Sequence, residues 1–234
     1  MDILKKANYG FEDLKEIIMV LRSENGCPWD REQTHESIRN EIIEEVYEAV
    51  EAIDERNPAM LREELGDVLL EVMFHARISE EAGDFDINDV CDGICKKLIY
   101  RHPHVFSGES NAETAEQVLV NWEELKIKEK GFENAREYLA SAAKSLPALA
   151  RAEKIYKRAR KCELTEPLNR SEKLARDIEN LTDINFENKG ETEIFETLGR
   201  ILFNISGLAS EFNVNPEQAL YFYNEQFIKR LLIE

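Results

Sequence analysis

Apolar residues recur three and four positions apart through almost the whole chain, and no stretch alternates apolar with polar as a half-buried strand would. The pattern predicts an all-α protein. A first helix reads from Phe11 to Ser23 and stops at Asn25-Gly26, and Cys27-Pro28-Trp29-Asp30 reads as a turn. Asp30 with Gln33 can cap a helix running from Arg31 to Glu55. Asn57 and Pro58 supply an N-cap and a first-position proline for the next helix, which runs to Gly83. Further helices are predicted from Ile87 to Tyr100 and from Ala112 to Lys130, the latter closed by Gly131. Between them, His102-Pro103-His104-Val105-Phe106 reads as a loop.

The second half repeats the first. Leu65-Gly66-Asp67-Val68-Leu69-Leu70 finds an echo in Leu198-Gly199-Arg200-Ile201-Leu202-Phe203, preceded in each case by a helix, the later one capped by Ser171. This predicts a tandem of two helical bundles, residues 1–135 and 136–234. Laid over each other, Glu44, Glu45 and Glu48 meet Arg176, Asp177 and Asn180, while Glu64 and Asp67 meet Thr197 and Arg200. The apolar pattern persists while most of the acids disappear. An arginine where a dication would sit should prevent its binding, so the second copy reads as structural or dimerising.

The polar faces carry the chemistry. Glu41, Glu44, Glu45 and Glu48 share one side of the second predicted helix, with Ile42, Val46, Val50 and Ile53 on the other. Glu64, Asp67 and Glu71 align on the next, flanked by Leu65, Val68, Leu69 and Val72. So many like charges repel unless solvent or a cation neutralises them, and oxygen-only ligands suit a hard divalent cation, Mg²⁺ above all. Solvated acidic helix faces are common in a chain with 48 Asp plus Glu against 30 Lys plus Arg, so spacing alone does not decide the matter.

A net charge of −18 opposes binding to nucleic-acid polymers and anionic membranes. No apolar run approaches the roughly 20 residues of a membrane span, and the N-terminus lacks a signal-peptide core. Cys27, Cys91, Cys95 and Cys162 show no zinc or redox spacing, and a reducing cytoplasm is the expected location.

Four elements in order, Gly26-Cys27-Pro28-Trp29-Asp30, Glu44-Glu45-x-x-Glu48, Glu64-Leu65-Gly66-Asp67 and Arg101-His102-Pro103-His104-Val105-Phe106, give the chain a specific resemblance. It resembles the MazG family of nucleoside triphosphate pyrophosphohydrolases, over nearly its full length, as a tandem of MazG-like domains. The resemblance implies an all-α, Mg²⁺-dependent enzyme that hydrolyses NTPs or dNTPs to the monophosphate and pyrophosphate, with clearance of non-standard nucleotides as one role. It implies Glu44, Glu45, Glu48, Glu64 and Asp67 as metal ligands. Lys97 and Arg101 match positions that meet the phosphates, and Trp122 and Lys126 match positions near the nucleotide. It also implies a homodimer in which helices of two protomers complete the bundle.

The residues fit that chemistry. Lys97 and Arg101 stand one helical turn apart and can stabilise a pyrophosphate leaving group, although cations near a helix C-terminus also complement its dipole. Glu41 and Glu45 are both candidates for the base that takes the water's proton. Trp122 is a stacking platform or a core aromatic. His75 reads as an ordinary partly buried histidine, His102 and His104 as loop-shaping residues, and Trp29 as packing beneath a helix start. The alternatives to an enzyme are a non-catalytic nucleotide-sensing regulator and a purely structural helical module.

Overall fold

The computed structural model describes residues 6–108, 114–164, 170–182 and 191–231, and every regular element among them is a helix. The chain divides into two compact units, residues 1–119 and 120–234. The division runs through the helix that precedes the boundary expected at residue 135.

The first unit comprises α1 (Phe11–Leu21), α2 (Pro28–Glu32), α3 (Glu41–Asp54), α4 (Pro58–Ala82), α5 (Ile87–Arg101) and α6 (Pro103–Phe106). The central element is α4, against which α1, α3 and α5 all pack. Ile18, Ile38, Met73, Phe74, Ala76 and Ile87 form the core, with Leu14, Leu70, Val72 and Ile78 against it. The α4 members of that core begin at Leu70, so the N-terminal turns of α4 are left to meet α3. Removing each large side chain of this kind from water contributes about 1.5–3 kcal/mol.

The ends of α4 follow the predicted chemistry, and a cap not singled out in the sequence starts α5. Asn57 accepts a hydrogen bond from the Met60 amide at 3.2 Å, Pro58 opens α4, and Gly83 closes it at φ 80°, where a side chain would be strained. The Asp86 carboxylate accepts the amides of Asn88 and Asp89 at 2.7 and 3.0 Å and starts α5.

Four expectations are corrected. The stretch from Arg31 to Glu55 is not one helix. Pro28 opens the short α2, and α3 begins only at Glu41. Between them Thr34 and Ser37 exchange bonds, each amide donating to the other's hydroxyl at 2.9 and 3.3 Å. Such local side-chain partners compete with helical bonding. Gln33 donates to the Trp29 carbonyl at 2.9 Å rather than forming a capping box with Asp30. The loop at 103–106 is a single helical turn, α6, opened by Pro103. Trp29 is 63% exposed and does not pack beneath a helix start.

The second unit holds the later part of α7 (Ala115–Lys130), then α8 (Ala135–Ala140), α9 (Ala148–Lys161), α10 (Arg170–Thr182), α11 (Glu191–Glu211) and α12 (Pro216–Leu231). The expected start of α7 at Ala112 lies outside the described residues, and Gly131 follows its end at φ 62° as predicted. Helix α10 begins at Arg170, so Ser171 falls inside its first turn rather than ahead of it. Helices α9 and α10 both pack on α11. The Tyr156 ring lies so close to Gly207 that a Cβ there would stand 2.6 Å from it. Arg158 is buried, donating to the Tyr138 carbonyl and the Ser141 hydroxyl at 2.6 and 2.7 Å, with its guanidinium 4.7 Å from the Tyr138 ring centre.

Candidate metal centre

The α3–α4 pair turns its acids toward each other. Carboxylate oxygens of Glu45 and Glu48 on α3 and Glu64 on α4 all lie within 4.8 Å of one another. Glu64 is only 8% exposed, which a solvated acidic face would not produce. Burial holds its carboxyl above the ordinary carboxylate pKa, reinforced by the charges of Glu48, Glu63 and Asp67 and by a hydrogen bond with Glu48. Glu45 is raised by burial and then by Asp67, Glu48 and Glu44. Three of the other four expected ligands, Asp67, Glu48 and Glu44, thus act on Glu45. Glu44 is the exposed member of the set.

The array extends past the expected five. Glu71, one turn after Asp67, is raised by burial and by the charges of Glu41, Glu45 and Asp67. Glu41 Oε2 and Glu71 Oε2 are buried atoms without a hydrogen-bond partner. A buried carboxylate oxygen without a donor is costly, and a cation or its water would satisfy it. The donor set is all oxygen and strongly anionic, so the residues fit a hard divalent cation. Glu71 shares the helical spacing of Glu64 and Asp67, and that spacing was the signal for including it.

The apolar side of this helix pair is reversed from a simple amphipathic expectation. Ala49 and Ala52 are the buried residues of α3, whereas Val46 and Ile53 are 46% and 57% exposed, as are Ile43, Tyr47, Leu65 and Leu69 to comparable degrees. The acids take the inner position, and a band of large apolar residues faces outward.

Lys97 is exposed and Arg101 half-buried on α5, one turn apart in the same unit as the acids. Trp122 and Lys126 belong to the second unit, where the Lys126 ammonium stands 5.1 Å from the Trp122 ring centre. His102 Nδ1 lies 2.6 Å from the Leu98 carbonyl, closing α5 in the loop-shaping role expected of it. His75 is not an isolated histidine: its Nδ1 lies 2.7 Å from that of His35.

Arg200 Nε donates to Asp177 Oδ2 at 3.0 Å and its Nη2 to Thr197 Oγ1 at 3.4 Å, so the overlay counterparts of Asp67, Glu45 and Glu64 meet across α10 and α11. Asp177 and Thr197 are buried, like Glu64. The hydrogen bond and charge of Asp177 hold Arg200 more firmly protonated than usual. A fixed guanidinium occupies this cluster.

The family profile of the MazG nucleotide pyrophosphohydrolase domain matches residues 33–106, a span within the first unit that contains every acid of the array. The chain is 42% identical over 229 residues to the nucleoside triphosphate pyrophosphohydrolase/pyrophosphatase MazG of Thermotoga maritima, covering 97% of this chain and 86% of that protein. It is 37% identical over 211 residues to the nucleoside triphosphate pyrophosphohydrolase of Escherichia coli K12, covering 88% of this chain and 80% of that protein. With the enzyme of the same name from Mycobacterium tuberculosis it shares 36% identity over 187 residues, 79% of this chain and 55% of that protein.

Proposed function

This chain belongs to the MazG family, and from that membership and its buried acidic array we propose that it is a nucleoside triphosphate pyrophosphohydrolase. It cleaves NTPs or dNTPs between the α- and β-phosphates and releases the monophosphate and pyrophosphate. The observation that carries the reading is the Glu45–Glu48–Glu64 constellation, three carboxylates within 4.8 Å with one of them buried.

Glu45, Glu48 and Glu64 would hold Mg²⁺, with Glu44 and Asp67 at the edges, and the ion when bound lowers the pKa of water and screens phosphoryl oxygens. The protein's own groups do the rest. Glu45, raised toward neutrality by burial and its neighbours, and Glu41, with a buried oxygen lacking a donor, are the two candidates to accept the water's proton. Lys97 and Arg101 bind the phosphate tail and stabilise the departing pyrophosphate. The roles of Trp122 and Lys126 in nucleotide binding rest on the family resemblance, and Trp122→Ala tests them through KM.

The working molecule is a homodimer in this reading. The exposed band of Ile43, Val46, Tyr47, Ile53, Leu65 and Leu69 supports it, since a helix pair that faces its acids inward leaves its apolar side for a second copy. No helix among the described residues is long and apolar enough to cross a membrane. Together with the net charge of −18, this supports a cytoplasmic enzyme that binds no nucleic-acid polymer.

Product analysis on mixed NTPs and dNTPs, with and without Mg²⁺, tests the proposal. Metal-dependent monophosphate and pyrophosphate are expected, and ranking of standard against non-standard nucleotides follows. Diphosphate and inorganic phosphate would show that a different bond is cut. Binding without turnover would make the protein a nucleotide sensor. Light scattering across a dilution series tests the dimer.

A further inference from the structure

His35, in the turn before α3, and His75, on α4, form a closed pair. Their rings meet edge to edge, with centroids 5.1 Å apart, planes 8° from parallel and Nδ1 facing Nδ1 at 2.7 Å. The other nitrogen of His35, Nε2, lies 3.2 Å from the Ser79 hydroxyl, and Ser79 is 1% exposed on α4. The contact joins residues 40 apart in sequence. The same turn is also anchored by Ile38, 3% exposed in the core.

We propose that His35 and His75 are positioning residues, a clamp that pins the turn before α3 onto α4 and lets go when both rings carry a proton. A 2.7 Å separation between two ring nitrogens needs one hydrogen between them. Two neutral rings of complementary tautomer supply it, and so does one imidazolium against one neutral ring. Two imidazolium rings cannot: both facing nitrogens then carry hydrogens, and the two rings are like-charged. Ser79 serves either state, donating to Nε2 or accepting from it.

The surroundings leave this balance to the pair itself. Charged groups on neighbouring elements are Glu36 in the turn, Glu41 at the head of α3, Glu71 and Arg77 on α4, and Arg22 at the end of α1. Arg77 and Arg22 are engaged with Glu81, and Arg77 also with Glu80. Glu36 feels His35. His75 is lowered by burial and by His35. The sign follows: a histidine whose folded pKa lies below its ordinary value favours the closed fold while neutral, and that contribution is lost as pH falls through the folded value.

The turn delivers α3, whose first residues are Glu41, Glu44 and Glu45. With Ile38 still buried, opening the clamp does not unfold the unit; it frees the N-terminal end of α3 relative to α4, and so loosens the spacing between the two sets of acids. That catalytic consequence rests on the function proposed above, whereas the clamp does not.

Hydrogen exchange of the backbone around residues 34–44 in the full chain, corrected for the pH dependence of intrinsic exchange, tests the clamp. The ring nitrogens are followed in parallel by ¹⁵N shifts. Between about pH 7 and about pH 5, protection should fall five- to tenfold, about the loss of one hydrogen bond, in step with the second ring protonation. His75→Gln, which keeps an uncharged donor, should abolish the step, and His35→Ala should show low protection throughout. Glu45→Gln should keep the step. The proposal is overturned if wild type shows no step, if the step persists in His75→Gln, or if it disappears in Glu45→Gln, which would assign it to the carboxylates. In an active enzyme, His75→Gln should also extend the acid limb of kcat with KM little changed. Absence of turnover would remove only this last readout and count against the proposed function instead.

Discussion

The α3–α4 pair and the α10–α11 pair are built on one plan and neutralised in two ways. In sequence Gly66 corresponds to Gly199, buried Glu64 to buried Thr197, and buried Met73 to buried Ser206. In the first pair the inner polar positions are carboxylates that raise one another's pKa and leave buried oxygens without donors. In the second, Arg200 lies across Asp177 and Thr197. In the proposed function the first helix pair takes a cation from solution, whereas the second carries the guanidinium of Arg200 within the chain. A helix packing scheme can therefore be inherited while the chemistry between the helices is exchanged.

The comparison is broken most sharply at Glu45. Replacing it with glutamine should lower kcat for pyrophosphate release by at least about a hundredfold while circular dichroism stays unchanged. Unchanged turnover would remove Glu45 from the site. Next in size is the response to metal. Saturating Mg²⁺ at about 100 times its dissociation constant should stabilise the first unit by about 2.7 kcal/mol. Exchange protection should rise over residues 41–82 and stay constant over 191–211, and a rise in both would erase the distinction.

A smaller effect is expected from Arg200→Gln, which leaves buried Asp177 without its partner. It should lower the melting of the second unit by a few degrees, equally with EDTA or Mg²⁺. If Mg²⁺ rescued it, a cation would be entering the second cluster. The smallest effect is the pH dependence without metal. Glu45, Glu64 and Glu71 have folded pKa values above their ordinary ones, so the native state binds the extra protons between those values. Their contribution to stability is present at acid pH and lost as pH rises through the folded values. Melting of the metal-free protein should thus fall from about pH 5 toward neutrality over residues 41–82, and added Mg²⁺ should flatten the slope.

Much of this contrast was legible in the residues. The overlay set Arg200, Asp177 and Thr197 at the positions of Asp67, Glu45 and Glu64, and spacing along two helices decides which such positions meet. Asn57, Pro58 and Gly83 mark the ends of α4 through local backbone chemistry that reaches only a few residues. What escaped depends on competition or distance. The break before α3 comes from Thr34 and Ser37 satisfying each other's amides, which outweighs a capping signal at Asp30. The outward band on α3 could not be read from periodicity, since amphipathicity shows two faces without saying which one a neighbour takes. His35 and His75 meet through the fold, and neither position announces the other.

The length of α4 sets a limit on how this molecule can change. Its 25 residues extend for about 37 Å and carry, in fixed rotation about one axis, Glu64 and Asp67, then Met73 and Phe74, then His75 and Glu81. One residue inserted between Asp67 and Met73 would turn the upstream half by about 100° against the downstream half. The acids would leave α3, or the core would leave α1. Side chains along α4 can be exchanged without disturbing that rotation, but the count between its ends cannot change.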